Sequence, residues 1–177
     1  FSSLNYKDAL SATGSPGVTK NYPHTPGIDA VGQVQESSDS AFKEGDEVIV
    51  TGYDLGMNTA GGFGQYIRVP AHWVIKLPNG LNEVEVMSLG TAGLTAGLSI
   101  QALEKYSSTT GFEGSKSIVT GSTGGVGSIA VMLLSKLGSE VTAVTGKNTQ
   151  KSFLEDLGAT EVISREELSE MTRLPMG

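Results

Sequence analysis

The sequence predicts an α/β protein with two domains, a β-rich domain over residues 1–82 and a domain built on a parallel sheet over residues 83–177. Three observations carry this prediction. Short apolar stretches separated by Gly, Pro and Asp fill the chain to about residue 80. The order strand, helix, strand, helix, strand follows, and a glycine-rich turn joins the first of those strands to its helix. That order is the first half of a doubly wound parallel sheet.

The first domain is predicted from strand-like stretches and the turns between them. The stretches alternate or cluster apolar residues over 28–36, 47–51, 63–69 and 73–75. Turn signals at 26–27, 44–46 and 61–62 separate them. Several short strands with Gly-rich turns indicate a small barrel or sandwich.

The second domain is predicted from a change of hydrophobic period. Asn82 and Glu85 form a capping-box pattern, so a helix is expected through Met87 and another from about Ala92 to Glu104. The remaining elements are a strand at 117–120, a helix at 126–137, a strand at 140–145, a helix at 149–157 capped by Asn148, and a strand at 161–164.

Composition narrows the possible functions. The net charge of −7 argues against a general nucleic-acid binder, which needs a basic face. The absence of cysteine removes disulfides and thiolate metal sites, and two histidines make a histidine zinc site improbable. The longest apolar run, 129–134, is too short to span a membrane, and no signal segment is recognised, so a cytoplasmic enzyme is expected.

The glycine-rich turn is the strongest chemical signal. Gly121 permits a tight turn, Gly124 or Gly125 lets the backbone approach a pyrophosphate, and Gly127 lets the helix pack closely on the strand. The helix N-terminus then offers free N–H groups to phosphates. The candidate cofactor-binding residues here are Gly121, Ser122, Thr123, Gly124, Gly125, Val126 and Gly127. The alternative is a turn that holds no ligand.

The end of the next strand selects the cofactor. NAD-binding domains usually carry an acidic residue there, but this strand ends Val144-Thr145-Gly146-Lys147. Thr145 can hydrogen-bond a 2′-phosphate and Lys147 can neutralise it, which favours NADPH. Arg165 is a further candidate, although a solvated charge at a strand end is the preferred explanation for it.

Several motifs in order resemble the zinc-free medium-chain dehydrogenase/reductases. They are Asn5-Tyr6-Lys7-Asp8, Pro26-Gly27-Ile28-Asp29-Ala30-Val31-Gly32, Gly45-Asp46-Glu47-Val48, Gly61-Gly62-Phe63-Gly64-Gln65-Tyr66 and Gly90-Thr91-Ala92-Gly93-Leu94-Thr95-Ala96. The chain resembles the YhdH/YhfP branch, which holds quinone oxidoreductase-like proteins and NADPH-dependent acryloyl-CoA reductases. The resemblance implies a GroES-like catalytic domain followed by half of a Rossmann domain.

The resemblance also implies the chemistry. The metal-ligand positions of zinc-dependent relatives align with Asn5, Ile28 and Thr91, none of which is a soft or imidazole ligand, so no metal is expected. The expected reaction is hydride transfer from NADPH to the β-carbon of an enoyl thioester such as acryloyl-CoA. The residues implied at the site are Asn5 as enolate donor, Tyr6 as nicotinamide contact or proton donor, Asp29 as an orienting group and Thr95 as a cofactor contact.

Alternatives stay open. The same cofactor could serve a quinone reductase, and the chain could instead be a non-catalytic NADPH-binding sensor or structural protein. Phe1 at the start and 173–177 at the end suggest a fragment of a longer chain. The resemblance implies that the missing parts are the opening strands of the catalytic domain, the second half of the Rossmann sheet and a returning C-terminal segment. Such a fragment could be inactive by itself. The expected partners are a small-molecule substrate and a second copy in a homodimer.

Overall fold

The computed structural model describes residues 1–106 and 111–171. Residues 173–177, whose sequence suggests a fragment, lie outside the described residues. The chain divides into two compact units, Phe1–Thr91 and Ala92–Gly177. The domain boundary predicted at 82/83 stays a prediction, and the two units are described separately below.

The first unit contains an antiparallel sheet. Its elements are α1 (Tyr6–Ala12), β1 (Asp29–Gln33), β2 (Glu47–Thr51) and β3 (Val74–Lys76), with a 3-10 turn at Ala71–Trp73 before β3. The strand order is β1-β2-β3. The β-rich prediction is confirmed, but the described residues of this first unit form one three-stranded sheet in place of a barrel or sandwich.

Both faces of this sheet are buried, because alternate residues of each strand point to opposite sides. Ala30 pairs with Val50, and both pack with Leu55 on one face. Val31 pairs with Ile49 on the other face. Asp29 is the first residue of β1, so it enters this buried sheet at one end of the strand.

The stretch 63–69 was predicted as a strand, and this prediction is wrong. The structure has no strand there, although Ile67 and Val69 pack against the core. Their alternating apolar side chains fit a buried surface, but within the described residues no neighbouring strand pairs with this segment. Hydrophobic alternation reports burial and does not by itself supply hydrogen-bonding partners.

Helix α2 (Glu83–Tyr106) links the two units and is broken at Gly90, where φ is 48° and ψ is −149°. The break confirms the prediction of two helices. Its start is capped as predicted, since Asn82 Oδ1 accepts the N–H groups of Val84 and Glu85, both at 3.0 Å. By length and composition α2 passes as a membrane span, but core helices pass the same test and the break leaves two shorter pieces.

The second unit contains a parallel sheet ordered β4-β5-β6. Its elements are β4 (Lys116–Thr120), α3 (Gly125–Lys136), β5 (Glu140–Val144), α4 (Lys151–Asp156), β6 (Glu161–Ile163) and α5 (Arg165–Met171). The predicted half of a doubly wound sheet is confirmed. Val131 and Leu134 of α3 pack against Val141 and Ala143 of β5 in its core.

One helix start in this unit differs from the prediction. A 3-10 turn, Asn148–Gln150, precedes α4, which begins at Lys151. Gln150 occupies the N-cap position, so the helix begins later than predicted, while capping by the Asn148 side chain stays a prediction. The tight turn takes up the residues between the strand and the helix, as 3-10 turns often do at helix N-termini.

Candidate active site

Asn5 is held at the start of α1 by the helix that follows it. The Asn5 backbone N–H donates to Asp8 Oδ2 at 2.8 Å. The other oxygen of Asp8 accepts the N–H groups of Gly27 at 3.1 Å and Ile28 at 2.9 Å. Asp8 thus caps the helix and also ties it to the segment leading into β1.

Asp29 is completely buried, with a relative exposure of 0%. Its Oδ2 accepts the Asn5 Nδ2–H at 2.8 Å, the Thr91 backbone N–H at 2.9 Å and the Ser3 hydroxyl. Its Oδ1 accepts the Thr91 hydroxyl at 2.7 Å. A carboxylate has about four acceptor positions, so these four donors saturate it. Asp29 cannot touch a substrate and acts on its neighbours.

The four donors keep Asp29 ionised. Burial raises the pKa of the Asp29 carboxyl, but hydrogen bonds from Ser3, Thr91 and Asn5 together lower it more, so the pKa lies below its ordinary value. A buried negative charge is stable here because every donor around it favours the charged form.

The carboxylate fixes the amide of Asn5. Nδ2 donates to Asp29 Oδ2 at 2.8 Å and to Ser3 Oγ at 3.3 Å. These two acceptors are hydrogen-bonded to each other, so they lie side by side and share one N–H of the amide. We call it the inner N–H. The outer N–H diverges from it, and no described residue accepts it.

Gly90 makes room for this cluster. A Cβ at this position would lie 2.6 Å from Ser3 Oγ and 2.7 Å from Asp29 Oδ2. The positive φ of Gly90 also belongs to a region that other residues rarely adopt. Ser3, Asn5, Asp29 and Thr91, with Gly90 behind them, form what we call the carboxylate cluster.

The other predicted residues of the first unit lie around the cluster. Tyr6 is the first residue of α1 and its side chain is 82% exposed. Of the three positions aligned with metal ligands, Asn5 and Thr91 bind Asp29, and Ile28 is buried. Across 1–106 and 111–171 no three His, Cys, Asp or Glu side chains converge as a metal site would require.

The glycine-rich turn lies in the second unit, between β4 and α3. Gly121 has φ +63°, which gives the tight turn. A Cβ on Gly127 would overlap the carbonyl oxygen of Gly121 and approach Ser122 Cα to 2.8 Å. Gly127 therefore lets the helix approach the turn itself, whereas the sequence suggested helix-on-strand packing.

Ser122 anchors the turn to the neighbouring strand. It is completely buried, and its hydroxyl donates to the Val144 carbonyl at 2.7 Å. Gly121, Gly124 and Gly125 are exposed and the N-terminus of α3 begins at Gly125. The turn fits a pyrophosphate, because exposed, side-chain-free backbone stands at the N-terminus of a three-turn helix.

The residues predicted to contact the 2′-phosphate differ in their exposure at the end of β5. Thr145 is buried, and its hydroxyl oxygen accepts the Lys147 N–H at 3.0 Å, so it shapes the bend. Gly146 and Lys147 are exposed. The Arg165 guanidinium lies beside Gly146, where an added Cβ would sit 3.7 Å from its Cζ.

Arg165 and Lys147 have different surroundings. Arg165 lines a cavity of about 370 Å³ together with Glu166, Ser169 and Glu170. Two carboxylates in that cavity weaken the positive potential around Arg165. Lys147 is therefore the stronger candidate for a phosphate contact. The remaining predicted contact, Thr95, is exposed on α2.

The sequence did not predict that two members of the carboxylate cluster, Ser3 and Thr91, donate hydrogen bonds to Asp29. Ser3 carries no motif of its own, and Thr91 was singled out only by its alignment with a metal-ligand position. Ser3 stands two residues before Asn5, and that proximity is the only signal the sequence offers. Their roles depend on Asp29, which is distant from Thr91 in the chain.

Comparison with known proteins gives consistent similarities. The family model of the alcohol dehydrogenase GroES-like domain matches residues 1–79. The chain is 43% identical over 176 residues to the acrylyl-CoA reductase AcuI of Ruegeria pomeroyi, covering 99% of this chain and 53% of that relative. It is 45% identical to YhfP of Bacillus subtilis, named as a quinone oxidoreductase, covering 97% and 52%.

Solved structures show the same likeness. The YhdH oxidoreductase of Salmonella enterica in complex with NADP matches with a TM-score of 0.88 at 44% identity, covering 94% of this chain and 51% of that chain. Bacillus subtilis YhfP with NAD bound matches with a TM-score of 0.88 at 45% identity, covering 99% and 53%. The chain spans about half the length of the relatives it matches.

Proposed function

Since this chain belongs to the medium-chain dehydrogenase/reductase family, we propose that the whole protein is a zinc-independent, NADPH-dependent reductase of activated carbon–carbon double bonds. The proposed substrate is acryloyl-CoA or a similar enoyl thioester. The observation that carries the proposal is the Asn5 amide, which Asp29 holds by one N–H while the other stays available as a donor.

The cofactor assignment rests on the second unit. Gly121, Gly124, Gly125 and Gly127 would hold the pyrophosphate with the N-terminus of α3, and Lys147 would pair with the 2′-phosphate. NADPH supplies a hydride when it is bound. The Salmonella relative was solved with NADP and the Bacillus relative with NAD, so preference between the two cofactors is a property to be measured.

The reaction assigns a task to each residue of the first unit. When the β-carbon accepts a hydride, the thioester oxygen gains negative charge, and the outer N–H of Asn5 donates to it. Asp29 keeps the inner N–H directed away from the substrate. The α-carbon then takes a proton, for which the exposed Tyr6 hydroxyl is the candidate donor. The double bond becomes a single bond with one hydride and one proton added.

A quinone reductase is the second candidate function. The Bacillus relative is named for that activity, and a quinone oxygen also gains negative charge on reduction. The same Asn5 donor would serve it. The substrate thus distinguishes the two candidates, whereas the residues do not.

The test measures NADPH oxidation by the purified full-length protein with acryloyl-CoA, crotonyl-CoA and 1,4-benzoquinone, each repeated with NADH. Turnover of an enoyl-CoA with NADPH supports the proposal. Turnover of the quinone alone would replace it with the second candidate. Tight NADPH binding without any turnover would refute both and favour a non-catalytic sensor or structural protein.

Three further properties stay proposals of the same enzyme. A small-molecule substrate follows from its homology to reductases. A homodimer and a cytoplasmic location are predictions for the whole protein, which size-exclusion chromatography with light scattering and cell fractionation would check.

A further inference from the structure

Ser3 stands at the centre of the carboxylate cluster. Its hydroxyl donates to Asp29 Oδ2 and accepts the inner N–H of Asn5 at 3.3 Å. The side chain is half-buried. It is thus the only described residue, besides Asp29 itself, that accepts a hydrogen bond from the Asn5 side chain.

Ser3 Oγ is a second acceptor for the Asn5 amide, beside Asp29 Oδ2, and it restricts the rotation of that amide. The terminal torsion of an asparagine side chain is soft, with broad and roughly two-fold preferences. One hydrogen bond to Asp29 excludes the flipped amide, because Oδ1 would then face a carboxylate. It leaves the amide plane free to rock about that bond. Ser3 Oγ, placed beside Asp29 Oδ2, restricts the rocking, and with it the direction of the outer N–H.

Ser3 is itself held in place from two sides. Its hydroxyl hydrogen is committed to Asp29, so its lone pairs face Asn5. The break in α2 stands behind it, where a Cβ on Gly90 would come within 3.2 Å of Ser3 Cβ. Both the position of the hydroxyl and its polarity are therefore determined by neighbours that do not contact a substrate.

We propose that Ser3 is a positioning residue that sets the direction in which Asn5 presents its outer N–H to the substrate oxygen. The inference rests on the proposed function, in which that N–H stabilises negative charge. Such donors act only when they are aimed before the charge develops, and removing one commonly costs about 10²–10³ in rate. Removing Ser3 leaves the donor present but less well aimed, so the expected loss is smaller, about tenfold in kcat.

The kinetic test combines Ser3→Ala and Asn5→Ala in a double-mutant cycle. Ser3→Ala is expected to lower kcat about tenfold with KM for NADPH unchanged, and Ser3→Thr, which keeps the hydroxyl, to recover most of the rate. In the Asn5→Ala background, Ser3→Ala should cost nothing further, because its effect passes through Asn5. Equal losses in both backgrounds would overturn the proposal.

Ser2→Ala is the matched control. Ser2 is also half-buried, and its hydroxyl donates to the Gly62 carbonyl at 2.7 Å, away from the amide. It should lose stability comparably to Ser3→Ala and keep the wild-type kcat. A loss of kcat in Ser2→Ala equal to that in Ser3→Ala would show that Ser3 matters only for local structure.

A second readout is independent of activity. In protein labelled with ¹⁵N-asparagine, the Asn5 side-chain signals are identified by their absence from Asn5→Ala. Ser3→Ala should move the inner-proton signal and speed its exchange with water, whereas Ser2→Ala should not. Unchanged signals in Ser3→Ala would overturn the proposal whatever the activity. Shifted signals in a protein that reduces no substrate would refute the proposed function and leave the amide-orienting role supported.

Discussion

At the residue scale, the fully buried carboxylate of Asp29 decides how the first unit can act. Four donors from three residues converge on it, and they come from two separate segments, residues 3–5 and Thr91. A buried charge of this kind stabilises the fold only while its donors stay in place. It also turns a flexible amide into one with a defined outer donor.

The first prediction concerns acid stability. The pKa of Asp29 is lowered in the folded protein, so its contribution is complete above the unfolded pKa of about 3.9 and disappears as pH falls through the folded value. Asp29→Asn should lower the free energy of unfolding by about 1.5–3 kcal/mol at pH 7 and by less below pH 4. Urea unfolding from pH 7 to pH 3 measures this.

Asp39→Asn is the control for that measurement. Asp39 is exposed in a turn, where one carboxylate oxygen accepts the Ala41 N–H at 2.9 Å. Its substitution should change stability much less than that of Asp29. An Asp29→Asn protein with the same pH dependence as the wild type would contradict the role given to the carboxylate cluster.

The second prediction concerns cofactor preference. Lys147→Ala should reduce the preference for NADPH over NADH about tenfold, which corresponds to about 1.4 kcal/mol. Arg165→Ala should reduce it less, because Glu166 and Glu170 stand beside Arg165. Fluorescence titration with both cofactors measures the ratio of dissociation constants.

Lys116→Ala is the control here, since Lys116 is exposed on β4 and pairs with Glu140 at 3.9 Å. It should keep the wild-type ratio. If Arg165→Ala proved more damaging than Lys147→Ala, the order of importance proposed for the two cations would be reversed.

At the element scale, the break in α2 has a clear cause. Continuing the helix through position 90 would require helical backbone where the carboxylate cluster needs space. Glycine fits this position for two reasons: it has no Cβ to collide with the carboxylate cluster, and it tolerates the positive φ of the break. Directly after the break, the Thr91 N–H donates to Asp29 Oδ2 at 2.9 Å.

The third prediction contrasts two glycines of α2. Gly90→Ala should destabilise the protein by about 3 kcal/mol or more, through backbone strain and the clash with Ser3 and Asp29. Gly97→Ala should raise stability by up to about 1 kcal/mol, since nothing lies within 4 Å of its added Cβ and alanine favours helix. Chemical denaturation checks both, and equal effects would rule out this account of the break.

At the scale of the whole molecule, the proposed substrate-binding and cofactor-binding residues belong to different units. The first holds the carboxylate cluster and the second holds the glycine-rich turn and Lys147. Each unit has its own buried core. The glycine-rich turn and Lys147 follow the carboxyl ends of the parallel strands β4 and β5, where doubly wound sheets bind ligands.

The fourth prediction links cofactor binding to global stability. NADPH at 100 times its dissociation constant should stabilise the protein by about 2.7 kcal/mol. For a chain of this size that corresponds to a rise in Tm of about 5–10 °C. NADH at the same concentration should raise Tm less, because it lacks the 2′-phosphate.

Gly127→Ala serves as the negative control in the same thermal scan. Its added Cβ would overlap the Gly121 carbonyl and displace the turn, so neither cofactor should raise its Tm. A rise equal to that of the wild type would show that the cofactor does not use this turn.

The sequence by itself determined the features that depend on a few consecutive residues. These are the strand–turn–helix order of the second unit, the glycines of its turn, the break near Gly90 and the absence of soft ligands at the metal positions. Local periodicity, conformational freedom and ligand chemistry are properties of short segments, so they can be read without the fold. The stretch 63–69 shows the limit, because alternation predicts burial and not pairing.

Only the tertiary structure decided what surrounds Asn5 and Asp29. Ser3, Asp29 and Thr91 meet because α1, β1 and the break in α2 are brought together by folding, and no local pattern encodes that meeting. The same holds for Arg165 and Gly146, which follow the neighbouring parallel strands β6 and β5 and come together because those strands pair. Hydrogen bonds between distant residues depend on strand register and close approach of backbones, and these exist only once the chain has folded.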